Sequence, residues 1–379
     1  MTIQAKTSSS NQNMNKILIV FGTRPELIKL APVIDEFSKR NLRESLYIVN
    51  SNQHEDFIMQ DIDYFQIQVD HQFKLIRNND CLSYLNGLLL LEFHELKLKL
   101  CKLKIKPDAI IAQGDTCTSY TAALFSFYEN IPFIHIEAGL RTYDFNQPFP
   151  EEYYRKTISS IANIHFAPTL IAKQNLIAEG LSPTSIFVTG NTVIDNLTKY
   201  IHENKFLYNN VKKEALILIT IHRRENINNN LNLIINRIVF YCKKHPDKTF
   251  LWIDNPGYKI ELKIETHINN LKIIQPVSFL EMMDLYKKAE LIITDSGGIQ
   301  EEAGYLGIPT LIFRNKTERI EGIQLGISKY FEEKDNDLNL VISTLKFNGN
   351  TKFNTIYGDG NASKRIVDFM IDKRFEQKN

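Results

Sequence analysis

The stretch TDSGGIQEEAG, Thr294 to Gly304, follows the apolar run LII and decides the fold of its part of the chain. An apolar run that ends in two glycines and continues as a helix is typical of a strand and helix in a parallel α/β sheet. Gly297 and Gly298 leave backbone N–H groups open to a ligand, and the first turn of a helix favours an anion. The stretch therefore predicts an anion-binding turn.

Two adjacent glutamates, Glu301 and Glu302, follow one helical turn later. Carboxylates repel phosphate, so we expect them to hold something attached to the phosphate, such as the hydroxyl groups of a sugar. A sugar nucleotide would satisfy both requirements.

Length and composition set the scale of the molecule. The chain has 379 residues, and about 100–200 residues per domain predict two or so domains with a cleft between them. Lys and Arg number 45 against 44 acidic residues, a net charge of +1, so no nucleic-acid or membrane partner is indicated. The four cysteines are far apart and form no metal-ligand spacing, so we expect no metal site and a reduced, cytoplasmic chain.

Membrane and targeting segments are not indicated by the sequence. No apolar run reaches the ~18 residues that a membrane span needs, and LNGLLLLEF is interrupted by Glu92. Residues 1–13 are polar and have no apolar core, so they predict a disordered leader and not a signal peptide.

Short apolar runs alternate with helix-like segments after this leader. Nearly continuous apolar runs are typical of parallel strands covered on both faces. A first series contains KILIVF, SLYIVN, DAIIAQ, FIHIEA and HFAPT, and a second contains SIFVTGN, ALILITI, TFLWID, LKIIQP, LIIT and TLIFR. We predict an α/β fold of two doubly wound sheets, with domains at 14–186 and 187–362 and a closing helix at 363–379 that is able to pack back on the N-terminal domain.

Ligands of open α/β sheets bind outside the carboxyl ends of the strands. Arg24 and Lys29 in FGTRPELIK place two cations near a helix N-terminus, after a tight turn at Gly22. Phosphate is the natural partner for them. A solvated basic helix start is an equally good interpretation of this stretch alone.

Further cations follow two strands of the second series. His222, Arg223 and Arg224 leave the run ILITI and favour a diphosphate, although a salt-bridge cluster with Glu225 is the alternative. In RNKTER, one of Arg314, Lys316 and Arg319 is expected to reach phosphate, and the rest are expected to be solvated.

Carboxylates follow two strands of the first series. Asp115 in QGDTCTS is interpreted as a helix cap. Glu137 directly follows the largely apolar FIHI, where a carboxylate has little structural reason to lie, so we predict a chemical role. His135 is interpreted as a core histidine, and Arg141 as the partner of a carboxylate or a phosphate.

A further pair of acids follows the aromatic and proline-rich loop TYDFNQPFP. Acids in the first turn of a helix also complement its dipole. We predict a functional role for Glu151, which is nearer the loop, and structural contacts for Glu152 and Arg155.

Together these stretches resemble the UDP-N-acetylglucosamine 2-epimerase family, in its non-hydrolysing branch. The motifs that carry the resemblance are FGTRPELIKLAPVI, GDTCTS, HIEAGLRTYDFNQPFPEE, FAPT, TGNTVID, HRREN and TDSGGIQEEAGYLGIPTL, which occur in family order between about Lys16 and Arg319. The resemblance implies a GT-B-like fold of two Rossmann-like domains.

The resemblance also implies which residues form the site. The diphosphate would lie on Ser296, Gly297 and Gly298, with Glu302 on the ribose. The implied substrate-binding residues are Arg24, Lys29, Ser296, Gly297, Gly298, Glu302 and Arg319. The implied catalytic residues are Asp115, Glu137, Glu151 and His222, the last also touching the nucleotide. For Asp115 this implication replaces the cap interpretation.

The implied reaction is inversion at C2 of UDP-GlcNAc to give UDP-ManNAc, through elimination of UDP to 2-acetamidoglucal and re-addition. The resemblance implies no external cofactor. It implies a homodimer and a product that supplies surface polysaccharide. Alternatives are a hydrolysing epimerase that releases ManNAc and UDP, an epimerase of a modified UDP-2-acetamido sugar, a GT-B glycosyltransferase and a UDP-sugar-binding protein. Asp115, Glu137 and Glu151 favour an epimerase, because a glycosyltransferase has no reason to carry all three.

Three stretches depart from the family pattern. Ile253 in LWIDNP stands where many relatives have a histidine that helps bind an activating second substrate. QHED, Gln53 to Asp56, and RNNDCL, Arg77 to Leu82, differ in the same region. We therefore expect that substrate activation does not operate here in the usual way.

Overall fold

The computed structural model describes residues 14–53, 58–75, 81–203, 215–221, 223, 231–254, 268–332, 335, 337–345 and 355–372. Two parallel β-sheets flanked by helices form this part of the chain. The predicted leader at 1–13 lies outside the described residues.

The first sheet has seven strands in the order β3-β2-β1-β4-β5-β6-β7. They are β1 (Met14–Phe21), β2 (Leu46–Asn50), β3 (His71–Gln72), β4 (Ile105–Gln113), β5 (Phe133–Ile136), β6 (Ile164–Ala167) and β7 (Ile186–Val188). Its helices are α1 (Arg24–Lys39), α2 (Ile58–Tyr64), α3 (Leu82–Lys102), α4 (Cys117–Tyr128), α5 (Glu151–Ile161) and α6 (Leu170–Ala178). Alternate residues of β1 pack in separate cores, Leu18 on one face and Ile19 on the other, which explains the continuous apolar sequence of this strand.

The second sheet has six strands in the order β10-β9-β8-β11-β12-β13. They are β8 (Leu216–Thr220), β9 (Thr249–Ile253), β10 (Leu271–Ile274), β11 (Ala289–Thr294), β12 (Thr310–Ile312) and β13 (Ser328–Tyr330). The helices that follow β7 in the chain are α7 (Thr192–Glu203), α8 (Leu231–Lys244), α9 (Phe279–Lys288), α10 (Gly297–Leu306), α11 (Ile320–Gln324), α12 (Leu338–Thr344) and α13 (Ala362–Asp372). Short 3-10 turns lie at Arg43–Ser45, Pro183–Ser185 and Thr355–Tyr357.

The strand order of both sheets confirms the predicted doubly wound α/β architecture. The order reverses between β1 and β4 in the first sheet and between β8 and β11 in the second. Loops that leave neighbouring strands toward opposite faces open a crevice at such a point. FGTRP, QGDT and DSGG follow β1, β4 and β11, so they lie at these two crevices.

Two details of the predicted strand series are wrong. SIFVTGN was assigned to the second series, but Ile186–Val188 pairs with β6, so this strand is the edge of the first sheet. The edge strands β3 and β13 were missed, because two or three residues are too few to show a periodic pattern.

The closing helix α13 packs on the first half of the chain. Ile366, Val367 and Met370 are buried in the same core as α1 residues. Asp195 of α7 accepts hydrogen bonds from the backbone N–H groups of Ala362 (3.0 Å) and Ser363 (2.7 Å) at the start of α13. The chain therefore passes through the second sheet and returns to the first.

Among the described residues, no helix combines the length and apolar character needed to cross a membrane.

We expect the substitution Ile366→Ala to lower the free energy of unfolding by about 2–5 kcal/mol, because the side chain is fully buried and its loss leaves a cavity. Urea unfolding followed by circular dichroism measures this change. Lys364→Ala, on the exposed side of the same helix, is the matched control and should change stability little. Equal effects of the two substitutions would contradict the packing of α13 described above.

Candidate active site

Glu137 directly follows β5 and adopts a backbone φ of 67°. A left-handed conformation costs a residue with a side chain about 1–3 kcal/mol, so the surrounding structure must hold it there. Such outliers occur often at functional sites. The backbone thus turns the Glu137 carboxylate toward the carboxyl ends of the strands.

The Glu137 carboxylate is buried among donors from both halves of the molecule. Lys29 of α1 donates to its two oxygens, at 2.7 and 2.8 Å, and Arg319 Nη2 donates to Oε1 at 2.7 Å. Gln113 at the end of β4 donates to Oε2, and Asn191 donates to Oε1 at 3.2 Å. Burial alone would raise the pKa of Glu137, but Lys29 and Arg319 hold it below its usual value. Glu137 is therefore an ionised carboxylate in this arrangement.

Glu301 of α10 is a second buried carboxylate on the same cations. Its Oε1 accepts from Arg319 Nε at 3.1 Å, and its Oε2 lies 3.5 Å from Lys29 Nζ. Asn191 Nδ2 donates to Glu301 Oε2 at 2.8 Å. Burial raises the pKa of Glu301 to about 7, although Lys29 and Arg319 oppose this change.

Asp115 lies beside a second ionic cluster, centred on Arg155 of α5. Arg155 Nε donates to Asp115 Oδ2 at 2.6 Å, and its Nη2 donates to Glu318 at 3.2 Å. Glu318 also accepts from Arg314 at 2.8 Å and from Arg319. Burial acts to raise the pKa of Asp115, but Arg155 and the neighbouring arginines keep it below its usual value.

The cap interpretation of Asp115 is wrong. The N-cap of α4 is Thr116, whose hydroxyl accepts from Ser119 N at 3.1 Å. The Asp115 side chain points instead to Arg155. One residue decides the difference, because only Thr116 occupies the position whose side chain reaches the free N–H groups of the helix.

Glu151 begins α5 and differs from the other two predicted catalytic carboxylates, Asp115 and Glu137. Its Oε1 accepts from Arg223 Nη1 at 3.0 Å, while its buried Oε2 has no hydrogen-bond partner among the described residues. Burial raises the pKa of Glu151, although Arg223 opposes this. Arg223 is oriented in turn by its backbone N–H, which donates to Asp295 at 2.8 Å.

The start of α10 is built as the glycine stretch predicts. Ser296 is the N-cap and its hydroxyl accepts from Ile299 N. The Arg319 guanidinium lies directly on Gly297, where a Cβ atom would come within 2.6 Å of Nη1. The free end of the helix and the Arg319 guanidinium therefore lie side by side. Glu302, on the next turn, is half-buried and accepts from Tyr286.

The first turn of α1 carries the other predicted cation, Arg24. Its Nε donates to Asp61 of α2 at 2.5 Å. Gly22 supports this turn for a different reason from the predicted tight turn, because a Cβ there would lie 1.9 Å from Ser51 Oγ and 2.4 Å from Thr118 Oγ1. Close approach of neighbouring side chains therefore requires glycine at this position.

Several predicted residues lie in structural contacts. Arg141 pairs with Glu179 at 2.7 Å, and Glu152 accepts from the backbone of the loop before α5, at Thr142 N and Tyr143 N. His135 is buried and bonds to the Gly114 carbonyl at 2.7 Å, and burial lowers the pKa of His135 to about 4, so it is neutral at physiological pH.

Of two predictions about the arginines of this region, one needs correction. Arg314 was expected to be solvated, but it is buried against Glu318. Arg155 does form structural contacts, yet these contacts hold Asp115 and so belong to the site. Lys316 is exposed and pairs with Asp144 at 2.9 Å.

Some predicted residues lie outside the described part of the chain. They are His54, Glu55, Asp56, residues 77–80, His222, Arg224, Glu225 and residues 255–256. Among the residues that the structure does describe, no group of three His, Cys, Asp or Glu side chains is placed to hold a metal ion.

Sequence reasoning missed four polar residues of the site. They are Gln113, Asn191, Glu301 in its contact with the cations, and Glu318. Asn191 lies in the quoted motif TGNTVID, and Glu301 in the opening stretch, so a signal was present for both. Glu318 lies in the quoted stretch RNKTER, beside Arg319, but its contact with Arg155 appears only in the folded chain.

The fold and site define a class of protein: an α/β enzyme of GT-B-like architecture with a glycine turn at a helix N-terminus and buried charged groups shared between two sheets. A family model described as UDP-N-acetylglucosamine 2-epimerase matches residues 37–371. The chain therefore belongs to the UDP-N-acetylglucosamine 2-epimerase family, which confirms the resemblance drawn from its motifs.

Relatives and solved structures agree with this assignment. The chain is 35% identical to a UDP-N-acetylglucosamine 2-epimerase of Neisseria meningitidis over 382 residues, covering 95% of this chain and 100% of that protein. A crystal structure of UDP-GlcNAc 2-epimerase from Neisseria meningitidis bound to UDP-GlcNAc has a TM-score of 0.81 at 34% identity, covering 94% of this chain and 100% of that one. The Methanocaldococcus jannaschii enzyme in complex with UDP-GlcNAc and UDP has a TM-score of 0.81 at 32% identity, with coverages of 94% and 99%.

We expect Gly297→Ala to lower the free energy of unfolding by about 1–3 kcal/mol, because the new methyl group overlaps a guanidinium that carboxylates hold in place. Gly298→Ala is the matched control, since nothing lies closer than 4.0 Å to its Cβ position and alanine favours the helix. Urea unfolding of both variants measures the difference. A Gly297→Ala protein as stable as its Gly298→Ala counterpart would show that Arg319 moves freely.

Proposed function

We propose that this protein inverts C2 of UDP-GlcNAc to give UDP-ManNAc, by elimination of UDP and its re-addition. Membership of the family supports this proposal. The observation that carries it is the meeting of Glu137, Lys29 and Arg319 beside the anion-binding turn at Gly297. Proton transfer and departure of a diphosphate need these two kinds of group in one place.

The nucleotide is proposed to lie on the second sheet. The backbone at Ser296–Gly298 and the Arg319 guanidinium would bind the diphosphate, with Lys29 and Arg24 facing it from α1. Glu302, whose carboxylate accepts from Tyr286, would bind the ribose hydroxyls. The role of His222 stays a prediction, because this residue lies outside the described part of the chain.

The three acids differ in a way that suits two-sided proton chemistry. Arg155 and Lys29 keep Asp115 and Glu137 ionised in this arrangement, whereas burial raises the pKa of Glu151. A group whose pKa rises toward the working pH is suited to exchange a proton in both directions of a reversible reaction. Glu151, with one oxygen unpartnered among the described residues, is our candidate for that role.

The cations have the complementary role in this proposal. As the bond between C1 and the diphosphate breaks, negative charge grows on the leaving UDP. Fixed donors that already point at that charge lower the barrier, because no solvent has to reorganise around it. Contacts across the cleft, such as Arg223 with Glu151 and Arg155 with Glu318, would keep the released UDP in place for re-addition.

Incubation of the purified protein with UDP-GlcNAc in D2O, followed by proton NMR, tests the proposed function. We expect UDP-ManNAc that carries deuterium at C2, since the abstracted proton exchanges with solvent before re-addition. Free ManNAc and UDP would establish hydrolysis instead. An unchanged spectrum would contradict the proposal and favour a modified sugar substrate or a binding protein.

We expect Glu137→Gln to reduce turnover by about 100-fold or more, because it removes a carboxylate used in proton transfer. UDP should still bind, since the phosphate-binding cations remain. Isothermal calorimetry with UDP and the NMR assay measure the two effects separately. Loss of UDP binding together with turnover would assign Glu137 a structural role.

Two finer features are also proposed on the family resemblance alone. They are a homodimer and a cytoplasmic location.

A further inference from the structure

Glu137 and Glu301 compete for one set of donors. Lys29 and Arg319 contact both carboxylates, and Asn191 Nδ2 donates to both, at 3.2 Å to Glu137 and 2.8 Å to Glu301. The two cations and two carboxylates balance each other in charge. A ligand diphosphate that enters this cluster must therefore replace one of the carboxylates.

Arg319 shows where the replacement has to occur. Its Nε donates to Glu301, its Nη1 to Glu318 and its Nη2 to Glu137, so all three nitrogens already face carboxylates. The same guanidinium lies on Gly297 at the start of α10. An anion bound at that helix end gains a strong contact with Arg319 only if one carboxylate gives up its place.

The three carboxylates on Arg319 differ in how firmly they are fixed. Glu301 is on α10, the helix whose N-terminus binds the anion, and its side chain is fully buried. Glu318 is the chain neighbour of Arg319. Glu137 comes from the other sheet, after β5, and reaches Arg319 across the cleft through one nitrogen. Glu137 is therefore the partner of Arg319 that separates when the two sheets move apart or a diphosphate enters. Lys29 lies in the same half as Glu137 and donates to it at 2.7 and 2.8 Å, so it stays with Glu137.

We infer that Glu301 is a positioning residue that anchors Arg319 while the substrate diphosphate displaces Glu137 from it. This inference rests on the proposed function and deepens it. In the resting arrangement Glu137 neutralises Arg319, and in the complex the diphosphate does so. Glu137 then becomes available for proton transfer only when the nucleotide is bound.

The groups that face Glu137 support this consequence. Lys29 and Arg319 are the cations on it, Glu301 and Asp115 are the nearby anions, and Gln113 and Asn191 are neutral donors. Once Arg319 turns to phosphate, only Lys29 still favours an ionised Glu137, whereas burial and the two anions disfavour it. Binding of the diphosphate would therefore raise the proton affinity of this carboxylate at the moment when the sugar is in place.

The same chemical change at the two positions should have opposite effects on UDP binding. Glu137→Gln removes the competing anion, so we expect UDP to bind about tenfold more tightly. Glu301→Gln removes the anchor, so we expect UDP to bind about tenfold more weakly, although a negative charge near phosphate has been lost. Simple charge repulsion predicts tighter binding for both variants.

Calorimetric titration with UDP at pH 8, above the pKa of about 7 of Glu301, measures these affinities. Glu301→Asp separates charge from shape, because aspartate keeps the charge and glutamine keeps the size. We expect affinity to fall in the order wild type, Glu301→Asp, Glu301→Gln. Glu129→Gln, which removes an ion pair with Lys97 at the far end of α4, is the matched control and should bind UDP as the wild type does.

Affinity that rises in both Gln variants, or stays unchanged in Glu301→Gln, would overturn the inference. An isosteric Glu301→Gln that binds better than Glu301→Asp would assign Glu301 a role in packing only, and would overturn it too. Neither result bears on the reaction catalysed, which the NMR assay of the wild type decides. Absence of turnover with UDP-GlcNAc would count against the proposed function, whereas the order of UDP affinities tests only the anchor.

Discussion

The Glu137 carboxylate is shared by Lys29 of one half of the chain and Arg319 of the other, and the geometry of the cleft depends on this contact. Burying three charges is costly, so the contact contributes little net stability. Leaving any one of them unpaired would cost about 3–5 kcal/mol, however, so the halves are held in an arrangement that satisfies all three. The ion pairs thus specify relative position more than they add stability.

A second buried network repeats this arrangement. Arg155 joins Asp115 of the first half to Glu318 of the second, and Glu318 in turn holds Arg319. Lys29, Arg155 and Arg319 each contact a carboxylate in their own half and one across from it. The same contacts therefore position the cations and the carboxylates together, and a change at one group alters the other.

The fold was largely predictable because buried strands and glycine turns leave local patterns. The apolar runs, the order of the two series and the helix start after Ser296 were all read from neighbouring residues. Errors fell where the pattern is short or ambiguous. SIFVTGN is one strand between two series, and only its hydrogen bonds with β6 assign it to the first sheet.

The sequence identified several residues of the site but not the residues that they contact. A carboxylate after an apolar strand identified Glu137, and adjacent glycines identified the start of α10, because both are unusual in their local setting. From its own stretch Asp115 was interpreted as a cap, until the family resemblance implied a catalytic role, and Arg314 was grouped with solvated cations. Their partners Arg155 and Glu318 are distant or unremarkable in sequence. The sequence by itself determined the family, the two sheets and the helix start after Ser296. Only the tertiary structure decided which charges meet, because contact depends on distance in space, and Glu137 is 108 residues from Lys29 and 182 residues from Arg319.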